Sequence, residues 1–138
     1  MEKINAVITG VGGYVPSYIL DNEEMSRIVE TSDEWIMERI GVKTRHILRP
    51  EQGSGTSYMM TRAVKQLLEK TQVDPDSIEL VICATTTPDY HFPSTASLVI
   101  GNCGLKNAFG YEINCSRRTL LDDIDFMEST DGCHIKLK

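Results

Sequence analysis

Long apolar runs are missing from the 138 residues of this chain. No stretch approaches the ~20 residues needed to cross a bilayer, and no basic segment leads into an apolar one with a cleavage site, so a cytosolic location is expected. A basic stripe is missing as well. Twenty acidic residues stand against 14 basic ones for a net charge of -6, and the bases are scattered, which sets nucleic acid aside as a partner. Cysteine is sparse: the thiols at 83, 103, 115 and 133 form no CxxC pair and no Cys-His cluster of zinc-binding spacing, so no metal site is expected. Repeats and linkers rich in Pro, Gly or Ser are absent. What remains, 41% hydrophobic and 25% charged, is the composition of a globular protein with one core.

Several elements are legible in what is there. The β-branched segment 4–12, "INAVITGVG", reads as a buried strand feeding a tight turn, and "YVPSYIL" as a loop. Asp21 with Glu24 has the form of a helix start for "NEEMSRIVE". Thr31 and Glu34 repeat the device for "TSDEWIMERIG", which Gly41 can close in a left-handed conformation. Residues 43–48 suit an edge or hairpin strand. Met59, Met60, Ala63, Val64, Leu67 and Leu68 recur at helical spacing opposite Arg62, Lys65, Gln66 and Glu69, which marks core packing more readily than a ligand set. "LVICATTT" has the unbroken apolar character of a strand covered by helices, with Cys83 a small buried hydrophobe. Ser94 can cap "TASLVIGNC", Gly104 can end it, and "NAFGYEIN" supplies another strand. Alternating strands and helices predict an α/β fold with a mostly parallel sheet.

The stretches "ITGVGGYVP", "TSDEWIMERIGVKTRHI", "ICATTTPDYHFPSTASLV" and "NAFGYEIN" leading to a cysteine resemble, in order and almost without a break over residues 3–115, β-ketoacyl-acyl carrier protein synthase III. The resemblance implies a partial thiolase-like fold, since members consist of two similar α/β halves and work as homodimers. It also implies acyl-CoA and acyl carrier protein as partners, with no permanently bound cofactor. By the same resemblance Cys115 is the acylated nucleophile, Trp35 and Arg39 hold the coenzyme A adenine with Thr31 beside them, and Phe92 lines an acyl pocket across the dimer interface. A cysteine that follows a strand and opens a helix suits a lowered thiol pKa. For Trp35 packing against its own core is the alternative, and for Phe92 a loop anchor. Ile40 departs from the threonine common in the family.

The match ends at the catalytic motif. Family members carry two small residues before the cysteine and Ser-Gly-Phe after it, whereas Asn114 precedes Cys115 here, and Arg117 and Arg118 replace the Gly-Phe pair. Charges along 117–128 run against the helix dipole, and burying them unpaired would cost several kcal/mol each. Residues 1–114 are therefore expected to be the N-terminal part of a thiolase-like synthase domain, and 115–138 a divergent tail from a frame shift or truncation near Asn114. Reading the downstream DNA in the other two frames tests this; finding no Cys-Ser-Gly-Phe-like segment there would refute it. In the family the decarboxylating His and Asn come from the second half, and His46, His91 and His134 do not match that His. The expectation is an incomplete, inactive acyltransferase of fatty-acid synthesis; the alternative is a non-catalytic module that binds coenzyme A or pairs with a complete subunit.

Overall fold

A computed structural model of the chain describes residues 6–113. They fall into two compact units, one made of residues 6–13 and 55–113 and the other of Tyr14–Ser54. The expected boundary at 114 and the tail 115–138 lie outside the described residues.

In the Tyr14–Ser54 unit the order is β1 (Tyr18–Asp21), α1 (Asn22–Ser26), α2 (Asp33–Arg39) and β2 (Thr44–Ile47). β1 and β2 pair antiparallel, Tyr18 opposite Ile47 and Asp21 opposite Thr44. Residues 14–20 were expected to be a loop, and β1 corrects this: β2 offers a backbone ladder that a Pro-containing run does not advertise locally. The Asp21 carboxylate accepts from the Glu24 N–H at 2.7 Å, as its spacing predicts. α1 nevertheless stops at Ser26, short of the expected helix to Glu30, leaving Ile28 and Val29 exposed. α2 is capped by Ser32, not Thr31; the Ser32 hydroxyl accepts from the Trp35 N–H at 3.2 Å. Gly41, at φ 71°, follows in the left-handed region as expected.

The other unit contains α3 (Gly55–Thr71), β3 (Leu80–Ala84), α4 (Thr95–Cys103) and β4 (Phe109–Ile113). β3 and β4 run parallel, Leu80 opposite Phe109 and Ala84 opposite Ile113, joined by α4. α4 covers one face of this pair, where Cys83, Ala96 and Val99 form a buried cluster flanked by Met60, Val64, Val81 and Cys103. Burial of a side chain such as Val99 stabilises by about 1.5–3 kcal/mol. Gly110 permits the approach: a Cβ there would lie 2.9 Å from Ala96 Cβ. Strand alternation sends Ile82, Phe109 and Tyr111 to the opposite face, where all three are exposed.

Residues 6–12 form no strand, against expectation. A β-branched run becomes a strand only where a neighbour pairs with it, and among the described residues β3 and β4 pair only with each other. Val7, Ile8 and Val11 are exposed in consequence.

Candidate functional site

The residues expected to contact a nucleotide gather on α2 and the segment before it. Ser32 completes the first turn, so Trp35 stands one turn in and Arg39 one turn further along the same helix face. Trp35 is 52% exposed, so about half of its surface lies outside the core of the described residues. The Arg39 guanidinium lies 5.5 Å from the centre of the indole ring, a cation-π arrangement. An open cleft of about 310 Å³ is lined by Glu30, Thr31, Ser32 and Trp35. Thr31 lines this cleft, and its Oγ1 is buried with no hydrogen-bond partner among the described residues.

A second cleft shares Thr31 and Ser32 and carries Asp21, Glu23, Asp33 and Glu34 against Lys43. Between the ends of α2 lies a residue that the sequence did not single out. Asn22 is 3% exposed, and its Nδ2 donates to Asp33 Oδ1 at 2.6 Å and to the Val42 carbonyl at 3.0 Å. Its Oδ1 accepts from Arg45 Nη1 at 2.7 Å. No local pattern marks it, because an Asn at a helix start looks like any capping residue.

Phe92 belongs to the other unit, on the loop between β3 and α4, and is 90% exposed. Both ends of its loop are anchored. Asp89 accepts from the Thr56 N–H, and from the Ser57 N–H at 2.9 Å, at the start of α3. Ser94 accepts from the Ser97 N–H at 3.2 Å, and Glu112 Oε2 accepts from the Thr95 N–H at 2.5 Å. Partial burial works to raise the Asp89 pKa, but the bonds from Ser57 and Thr56 outweigh it and hold the carboxyl below its ordinary value. Cys83 sits beside this frame, 4% exposed, its thiol pushed up by burial and by the Glu112 carboxylate, which disfavours the thiolate. Cys115, the expected nucleophile, lies outside the described residues. The structure thus brings Thr31, Trp35 and Arg39 together on one unit and fixes the Phe92 loop on the other. Among the described residues no cluster of His, Cys, Asp and Glu could hold a metal, and no helix is long and apolar enough to cross a membrane.

Comparison with known proteins bears on both units. A β-ketoacyl-[acyl-carrier-protein] synthase III of Bacteroides thetaiotaomicron is 66% identical over 116 residues, covering 84% of this chain and 34% of the relative. The corresponding protein of Porphyromonas gingivalis is 44% identical over 121 residues, covering 88% of this chain and 36% of its own length. The crystal structure of 3-oxoacyl-[acyl-carrier-protein] synthase III from Aquifex aeolicus superposes with a TM-score of 0.74 at 36% identity, over 88% of this chain and 38% of that one. The priming β-ketosynthase of the R1128 polyketide pathway gives 0.75 at 28% identity, over 87% and 35%. No family model matches the chain. It spans about a third of the length of the curated relatives it matches, and its fold is a partial thiolase-like α/β fold.

Proposed function

Because the chain belongs, over the part it spans, to the β-ketoacyl-[acyl-carrier-protein] synthase III family, we propose that it carries the coenzyme A-recognition segment of an initiating condensing enzyme of fatty-acid synthesis. The observation that carries this reading is the exposed Trp35 with the Arg39 guanidinium over its ring, in a cleft that Thr31 also lines. An exposed indole beside a planar cation can grip an adenine by stacking, worth about 1–3 kcal/mol per base. Four carboxylates against one lysine in the neighbouring cleft disfavour phosphate there, so stacking and not ion pairing carries the affinity of these residues.

In the complete reaction the Cys115 thiolate attacks the acyl-CoA carbonyl and coenzyme A leaves. A malonyl thioester on acyl carrier protein then loses carbon dioxide, and its enolate carbon attacks the acyl-cysteine, returning the thiolate and releasing 3-oxoacyl-acyl carrier protein. Phe92 lines the acyl pocket of a partner subunit in a homodimer. On this reading the 138 residues alone do not complete the reaction, because the enolate-stabilising His and Asn are not among them. A second reading, a module that binds coenzyme A or pairs with a complete subunit, is favoured by the exposed face of Ile82, Phe109 and Tyr111.

Titration of the purified chain with coenzyme A, followed by Trp35 fluorescence and calorimetry, tests the proposal. Binding is expected, weakened about tenfold by Trp35→Ala and about two- to fivefold by Arg39→Ala. Binding unchanged in both variants, or none in the wild type, refutes it. Acetyl transfer to Cys115 without condensation marks the incomplete enzyme, whereas binding without transfer marks the module.

A further inference from the structure

We propose that Asn22 is a positioning residue for the nucleotide contact, holding both ends of α2 so that Trp35 and Arg39 share one face in fixed register. The role rests on the coenzyme A reading of that pair. α2 has only seven residues, about two turns, too short to hold its shape by its own hydrogen bonds. Its ends must be fixed by something else. Asp33 is its first residue, and Val42 follows its last residue by three positions; the two Nδ2 hydrogens of Asn22 go to these two places, at 2.6 and 3.0 Å. Arg45 of β2 binds the amide oxygen at 2.7 Å, which fixes the orientation of the amide group. Both amide hydrogens and the oxygen are therefore engaged, on a side chain that is almost wholly buried. Loss of the amide removes the donor that ties the part-buried Val42 carbonyl and the exposed Asp33 carboxylate to one point, so α2 would shift as a body.

Substitution by Asp isolates the role. In Asn22→Asp both donors are gone and a second carboxylate faces Asp33, while the contact with Arg45 is kept. Adding Asp33→Asn supplies a donor from the other side and restores the bond with its polarity reversed. The chain has a single Trp, so its emission reports on Trp35 alone. Asn22→Asp is expected to weaken coenzyme A binding about tenfold, shift Trp35 emission and speed amide exchange over residues 35–41. Asn22→Asp/Asp33→Asn is expected to recover binding to within about threefold of wild type and to return the emission, with Asp33→Asn alone near wild type. Wild-type binding and emission in Asn22→Asp would overturn the proposal, as would a double variant no better than the single. A wild-type chain that fails to bind coenzyme A overturns the ligand reading and with it the role in binding; exchange over 35–41 unchanged by Asn22→Asp overturns the clamp itself, so the two failures are distinguishable.

Discussion

Asp89 closes the first turn of a 17-residue helix from 32 positions away, and the consequence is measurable in both stability and pH. Its folded pKa lies below the ordinary aspartate value of about 3.9, so its stabilisation is fully present above that value and is lost as pH falls through the lower, folded one. Asp89→Ala should destabilise the chain by about 0.5–2 kcal/mol at pH 7, and the gap to wild type should close below about pH 4. Urea melts of both proteins at several pH values check this; a gap independent of pH would show that the carboxylate charge is immaterial. Cys83 should resist alkylation in the folded chain at pH 8 and react once the chain is unfolded, as peptide mass spectrometry would report. Rapid labelling of the native chain would contradict its burial. The fate of Cys83 was legible in the apolar run around it. Asp89 was not, since no local motif links residues 57 and 89, and whether Trp35 lay in the core or in solvent was decided by tertiary packing.

Elements with a strong period were read correctly, as were the strands that became β2, β3 and β4, whereas β1 and the strand expected at 4–12 were not. α3 shows apolar residues at helical spacing, and α4 carries its Ser94 cap and its Gly104 stop in the sequence itself. β1 and the strand expected at 4–12 failed in opposite directions for one reason: a strand exists only with its neighbour, and β2 lies more than twenty residues from β1. The cap of α2 was misplaced by one residue because Thr31 and Ser32 are both competent. Ser32→Ala should therefore cost about 1 kcal/mol, with Thr31→Ala within about 0.5 kcal/mol of wild type in stability. Equal losses in chemical denaturation would deny Ser32 its place. Between α4 and β4, Gly110→Val should cost about 1–3 kcal/mol or more by forcing Ala96 and Ile100 away from the sheet.

In the unit of residues 6–13 and 55–113, Val7, Ile8, Val11, Ile82, Phe109 and Tyr111 are all at least half exposed. Apolar surface on this scale favours association. Sedimentation of the 138-residue chain should show concentration-dependent oligomers, reduced by the pair Ile82→Lys and Phe109→Glu; a monodisperse monomer across the micromolar range would refute this. The fold class was legible because helices and strands alternate in the chain. Its division at Tyr14 and Ser54 was not, because no change in composition marks it. Ser57 and Asp89 also set an order in time. A polypeptide leaving the ribosome presents the start of α3 long before the carboxylate that completes it, and at ordinary elongation speeds of ~5–20 residues per second that interval lasts seconds. Nascent chains stalled before Asp89 emerges should therefore be cut by protease near Gly55, and chains stalled well beyond it should be spared.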